Sequence, residues 1–254
     1  MTLSRQQLET YYSDGFVFPV RVFSEDETFY FRTALEKLLA GFEVGTLKRL
    51  DGLHLFFPWA YELVTHDALL NSIEQVLGHE ILVDGTLVFY KPAHDSSYVS
   101  WHQDSVYSTW HLTPSTSAWI ALTASNAENG CMRAIPGSHK QGPLSHTNRR
   151  DKLNLLVRGE QVAVNEADAV DIVLEPGEAS LHHSTLVHGS NSNPSDEPRI
   201  GFIVRFVTNQ IAKQERPVLR VRGNGDCSHL TVAQAPMERD PQAKLQAWRA
   251  FNNC

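Results

Sequence analysis

Apolar and polar positions change rhythm after Gly78. Before it they recur mostly at helical spacing. Leu3 to Tyr12 reads as a short helix stopped by Asp14-Gly15, with Phe16-Val17-Phe18-Pro19 extended behind it. Ser24-Glu25-Asp26-Glu27 has the form of a capping box, in which serine and glutamate satisfy each other's backbone donors. Phe31, Leu35, Leu38 and Leu39 then share one helix face, and Gly41 supplies a stop. Asp67 to Leu77 is a further helix, ended by Gly78. From Ile81 the signal becomes short β-rich runs: Ile81 to Tyr90, Tyr98 to Tyr107, Ser117 to Thr123 and Cys131 to Ile135. Gln161 to Val164, Ala169 to Leu174, Ala179 to Leu186 and Ile200 to Val207 continue the series. Asp84-Gly85, Asn129-Gly130, Pro136-Gly137 and Pro176-Gly177 punctuate it, and Asn129-Gly130 reads as a hairpin turn. Lys213 to Met237 is polar and reads as a surface excursion, and Asp240 to Phe251 as a closing helix.

This pattern predicts a mainly β protein, a double-sheet sandwich or jelly roll with a helical flank. It is expected as one domain over residues 1–254: a flank over 1–78, a jelly-roll core over 81–207, and a C-terminal excursion and helix over 208–254. Hydrophobic content of 42% and charged content of 20% suit an ordinary globular protein. A net charge of −7 without a basic block argues against nucleic acid and anionic membrane as partners. Three separated cysteines and no apolar leader suggest reduced thiols and a cytoplasmic location.

Chemistry concentrates in Trp101-His102-Gln103-Asp104. On a strand, residues two apart share a face, so His102 and Asp104 would point together and lack only a second histidine to form a facial triad for Fe(II). His182, His183 and His188 compete for that place. His182 and His183 are adjacent, hence on opposite faces, and read as a satisfied polar residue and a surface one. The residues after His188 favour it: a Gly-Ser-Asn turn, then Arg199 opening the apolar strand Ile200 to Val204. An arginine entering a barrel interior needs an anion, and a carboxylate fits its planar fork. The set describes a site for Fe(II) and a dicarboxylate co-substrate. Strand alternation also turns Arg205 inward as a candidate substrate anchor. Tyr107, Trp110 and His111, after the metal motif, are candidates to line the substrate mouth, and His139 reads as a turn residue.

These motifs resemble the phytanoyl-CoA dioxygenase family of Fe(II)/2-oxoglutarate oxygenases. The likeness runs through Asp14-Gly15-Phe16-Val17, Trp101-His102-Gln103-Asp104, Ala118-Trp119 and Glu128-Asn129-Gly130-Cys131. It continues in Ile135-Pro136-Gly137-Ser138-His139-Lys140 and in His188-x-Ser190 followed by Arg199. The resemblance implies a cupin-like double-stranded β-helix, with His102, Asp104 and His188 as iron ligands. It implies Arg199 with Ser190 as the clamp on the distal carboxylate of 2-oxoglutarate, Trp119 beside that co-substrate, and Lys48 near it. It also implies consumption of O2 and 2-oxoglutarate, release of succinate and CO2, and hydroxylation of a small organic metabolite. Related halogenases carry a small residue where Asp104 stands, so hydroxylation is expected over halogenation. Two other classes compete: a non-catalytic jelly-roll binding protein, and a zinc hydrolase using the same three ligands. The oligomeric state is not readable from the chain.

Overall fold

The computed structural model describes residues 2–42, 47–107, 113–213, 215–236 and 240–252. The helical flank opens with α1 (Arg5–Asp14), capped by Ser4 with Gln7 and closed by Gly15 in the left-handed region (φ 86°). β1 (Phe16–Arg21) leads into α2 (Glu25–Leu39), which carries the expected Ser24/Glu27 capping box. β2 (Arg49–Asp51), α3 (Pro58–Val64) and α4 (Asp67–Leu77) complete the flank. The flank thus contributes two strands: β1, over the stretch read as extended, and β2, which the sequence pattern did not reveal.

The β region runs β3 (Ile81–Lys91), β4 (Val99–His102), β5 (Ser115–Ala121), β6 (Met132–Ala134), β7 (Thr147–Asn148) and β8 (Glu160–Gln161). It continues with β9 (Val170–Ile172), β10 (Glu178–His183), β11 (His188–Ser190) and β12 (Arg199–Val207). β13 (Val218–Arg222), β14 (Val232–Ala233) and α5 (Pro241–Asn252) close the chain. One sheet orders its strands β1-β10-β5-β12-β3-β13-β14, with β2 also on β3, and faces a second sheet ordered β4-β11-β6-β9. The two make a double-stranded β-helix, as expected.

Three elements differ from the expectations. Residues 213–237 are not only surface: β13 pairs with β3, and β14 with β13. Asn129-Gly130 is no hairpin; Asn126 caps a 3-10 turn, Ala127–Asn129, that Gly130 ends. The predicted strand Tyr98 to Tyr107 stops at His102 and becomes a 3-10 turn over Asp104–Tyr107.

β12, central in the large sheet, carries the division of the core. Ile200, Phe202, Val204 and Phe206 pack with Phe31, Leu35, Leu63, Leu69 and Ile73 of the helices. The opposite parity puts Ile203 between the sheets, with Leu87, Phe89, Trp119, Met132 and Ile172. Burying each large side chain contributes about 1.5–3 kcal/mol, so both layers hold the sheets in place around the interior.

His54, in the turn over Leu53–Leu55, is buried against β3, its Nδ1 2.9 Å from Thr86 Oγ1. Burial pushes this imidazole down to about 3, whereas an unfolded histidine protonates below about 6.5. The unfolded state therefore binds the extra proton first, and stability is lost as pH falls below about 6.5. Urea unfolding of the metal-free protein at about pH 7 and pH 5 should show His54→Gln losing less stability than wild type, by about 2 kcal/mol.

Candidate metal centre

The small sheet supplies two imidazoles. β4 and β11 are antiparallel with His102 directly opposite His188, and the ring centroids lie 4.3 Å apart. His102 Nδ1 lies 2.9 Å from the Ser100 carbonyl oxygen and 3.1 Å from that of His188; His188 Nδ1 lies 3.0 Å from the Leu186 carbonyl oxygen. Carbonyls only accept, so each Nδ1 must carry the proton and each Nε2 keeps its lone pair for a cation. Burial lowers the pKa of both rings, for His188 well below the usual value with His102 and His182 adding to it. Both are therefore neutral, as a metal ligand must be.

Asp104 joins them by a turn and not by sharing a strand face. β4 ends at His102, and Gln103 is tied down at both ends of its amide. Its Nε2 donates to the Thr185 and Gly142 carbonyls at 2.7 and 2.9 Å, and its Oε1 accepts from Leu144 N–H at 2.8 Å. The anchored turn swings Asp104 back beneath the imidazoles. Ligand atoms of His102, Asp104 and His188 all lie within 4.8 Å of one another, and all three residues are buried.

The large sheet cradles that carboxylate with one cross-strand rung. His182 on β10, Ser117 on β5 and Arg205 on β12 are in register. Ser117 Oγ donates to Asp104 Oδ2 at 2.7 Å, and Arg205 Nη2 to Oδ1 at 3.0 Å. His182 Nε2 stands 3.5 Å from Oδ2. Burial alone would raise the Asp104 pKa, but Arg205, then His182 and His188, carry it well below the usual carboxylate range. Arg205 faces the interior, as alternation indicates, and spends its guanidinium on Asp104. His182 departs from expectation: it is buried and lines the metal cavity, its Nε2 facing Asp104 and its Nδ1 without a hydrogen-bond partner. His183 is the hydrogen-bonded one, its Nδ1 2.8 Å from Thr185 Oγ1. His139 lies in the turn Ser138–Gln141.

Arg199 stands at the other end of β12 and lines the same cavity as the triad. It is 1% exposed, and burial pushes its guanidinium down to about 10. It sits 5.3 Å over the Trp119 ring, and its Nη2 reaches Ser190 Oγ at 3.5 Å. Its Nε has no hydrogen-bond partner, and no carboxylate pairs with it among the described residues. Trp119 lies flat there because Gly201 has no side chain: a Cβ at 201 would come within 2.1 Å of the indole. Gly201→Ala should displace Trp119, shift the tryptophan emission and lower stability by about 1–3 kcal/mol in a denaturant titration.

Lys48 lies outside this cavity, pairing with Asp95 at 2.5 Å and donating to Ser97 Oγ at 2.8 Å. The buried lysine near Arg199 is Lys91, opposite it across β3 and β12. Ser117 is not legible in the sequence as a site residue, and His182, weighed as a ligand, reads there as structural. Tyr107 ends the turn that Asp104 begins. Its side chain, and the whole of Trp110 and His111, lie outside the described residues.

The donor set fits a divalent iron: two neutral imidazoles and a carboxylate held ionised, converging from one side. The orphaned Arg199 Nε fits an anion entering the same cavity. A family model described as phytanoyl-CoA dioxygenase (PhyH) matches residues 11–201. A probable alpha-ketoglutarate-dependent hypophosphite dioxygenase of Stutzerimonas stutzeri is 26% identical, covering 84% of this chain and 72% of its own. An ectoine dioxygenase of Bordetella bronchiseptica is 27% identical, covering 80% and 75%. Among solved structures, the non-heme monooxygenase ThoJ superposes with a TM-score of 0.79 at 32% identity, covering 96% of this chain and 94% of that one.

Proposed function

Because the chain belongs to the phytanoyl-CoA dioxygenase family, we propose that it is an Fe(II)/2-oxoglutarate-dependent oxygenase that hydroxylates a small organic molecule. One observation carries this reading: a buried arginine without a counter-anion shares a cavity with a His/Asp/His set. A zinc hydrolase has no use for that arginine, and a decayed binding protein has no reason to keep all four residues.

Iron and 2-oxoglutarate, when bound, supply the oxidative chemistry, in which O2 is consumed, succinate and CO2 are released, and a substrate C–H becomes C–OH. The protein's share is geometry and dryness. His102, Asp104 and His188 would hold the metal. Arg199 and Ser190 take the distal carboxylate of the co-substrate, and Trp119 walls it. Leu87, Phe89, Met132 and Ile203 line the cavity and keep water out. Ser117 and Arg205 hold Asp104 as a carboxylate aimed at the metal. With a carboxylate at 104 no ligand position is vacated for a halide, which favours hydroxylation over halogenation. Tyr107, Trp110 and His111 follow the metal motif closely enough to serve as substrate contacts.

The test is succinate release and O2 uptake by iron-loaded protein, screened over small metabolites. One class of metabolite should raise both together and yield a product heavier by one oxygen. Iron-loaded, folded protein that never consumes 2-oxoglutarate would contradict the assignment.

A further inference from the structure

Asp84-Gly85, a turn signal in the sequence, lies inside a strand. Within β3 the register with β12 shifts there: Arg205 faces Gly85 and the next residue, Phe206, faces Val83. Asp84 is thus the extra residue of a β-bulge, a device that re-aims side chains beside active sites. On its other edge β3 pairs with β13 up to Val83 and with β2 from Leu87. Between those two strands opens a cleft of about 380 Å³. Small-molecule sites run from about 300 to 1,000 Å³. Arg205 lines both this cleft and the metal cavity. The inner face is open at that rung, since a Cβ on Gly85 would meet nothing within 4 Å. The far wall comes from the C-terminal part of the chain. Trp248 Nε1 of α5 donates to the Asp51 carbonyl at 2.8 Å, and Gly52 makes room for Phe251, which a Cβ there would strike at 2.6 Å. Arg216 lies 4.6 Å over the Phe251 ring. Arg205, Glu215, Arg216 and Phe251 all lie beyond residue 201, where the family match ends.

We propose that this cleft is the substrate site and that its substrate is amphoteric, carrying an ammonium and a carboxylate in one molecule. The proposal rests on the oxygenase reading given above and names a substrate class for it. Arg49, Arg205 and Arg216 line the cleft against Asp51, Asp84 and Glu215, three cations to three anions, so the lining has no net charge. Arg49 holds Asp51 at 3.2 Å, and Arg205 holds Asp104 at 3.0 Å. Glu215 and Arg216 are exposed and form no ion pair among the described residues. Each end of an amphoteric molecule therefore has a partner: Arg216 for the carboxylate, Glu215 and Asp84 for the ammonium. A polyanion, such as a thioester bearing several phosphates, would meet as many carboxylates as arginines, and like charges set together are costly. An uncharged apolar molecule would strip water from both signs of charge and return no hydrogen bond. Arg205 sets the depth. Its guanidinium is bonded to Asp104, so a substrate end that reaches Gly85 lies one side chain from the triad.

The experiment presents Fe(II)-loaded protein with 2-oxoglutarate, O2 and each of the proteinogenic amino acids. Each amino acid is paired with its N-acetyl form, which lacks the ammonium, and its amide, which lacks the carboxylate. Octanoyl-CoA stands for the polyanions. Succinate release is read beside the visible absorption band of bound 2-oxoglutarate. At least one amino acid should stimulate succinate release, with kcat/KM lower by about tenfold or more for its N-acetyl and amide forms. Arg216→Gln should raise KM for that amino acid by about tenfold with little change in kcat, and should leave the amide unaffected. Gly85→Leu should fill the open rung and lose the stimulation while the 2-oxoglutarate band persists. The proposal is overturned if no amino acid stimulates, if octanoyl-CoA or the singly charged forms stimulate as well, or if Gly85→Leu responds like wild type. Should Gly85→Leu not fold, Arg216→Gln decides, because its position is exposed: a raised KM supports the proposal and an unchanged one overturns it. A wild type that binds Fe(II) and gives no 2-oxoglutarate band fails the oxygenase reading instead.

Discussion

Arg199→Met is expected to abolish useful binding of 2-oxoglutarate while leaving the fold intact. Removing one partner of a buried, hydrogen-bonded charge pair costs about 2–5 kcal/mol, a loss of roughly 30-fold to a few thousand-fold in affinity. In the ligand-free protein the same change removes a guanidinium that is buried with no counter-anion and an unpartnered Nε. Replacing such a charge by an apolar side chain of similar length is commonly neutral or stabilising, by up to a few kcal/mol. The thermal midpoint without ligand should hold or rise, by about 2–4 °C for each kcal/mol gained in a chain of this size. The shift that 2-oxoglutarate gives wild type should vanish. A destabilised Arg199→Met that still binds 2-oxoglutarate would make this arginine an ordinary structural residue.

Asp104→Ala should do the opposite to stability and lose the metal. Arg205 keeps only 17% of its side chain exposed and faces Asp104 Oδ1 at 3.0 Å. Deleting the carboxylate removes the anion that faces this largely buried cation and takes from Ser117 its acceptor, a cost of about 3 kcal/mol. Two imidazoles remain, and iron content after dialysis should fall to background. Asp104→Ala combined with Arg205→Met should recover most of the lost stability in urea unfolding and none of the iron. A single variant as stable as wild type would mean that the Arg205–Asp104 pair does not hold the cavity together.

These two charges show where sequence reading succeeds and where it stops. His102, Asp104, His188 and Arg199 are legible because each sits in a local motif whose chemistry is unusual without a ligand. A shared strand face does not explain His102 and Asp104: the strand ends at His102, and Gln103 anchors a turn that no periodicity announces. β11 spans three residues, too few to show alternation, so His188 is betrayed by its neighbours and not by its strand. Adjacency separates His182 from His183, yet only pairing with Ser117 tells which one faces inward. Ser117 is hidden for the same reason: its role depends on the residue beside it on another strand, Arg205. The β-helix itself is visible as many short runs with turn signals. β13 is hidden because it lies in a polar stretch.

The most direct test of the central claim is anaerobic visible absorption of metal-free protein titrated with Fe(II) and then with 2-oxoglutarate. A weak charge-transfer band is expected that needs both additions, is absent in Asp104→Ala, and is lost or greatly weakened in Arg199→Met. Folded, iron-bound wild type that shows no band on adding 2-oxoglutarate would contradict the claim, and would leave a metal-binding jelly roll without oxygenase chemistry.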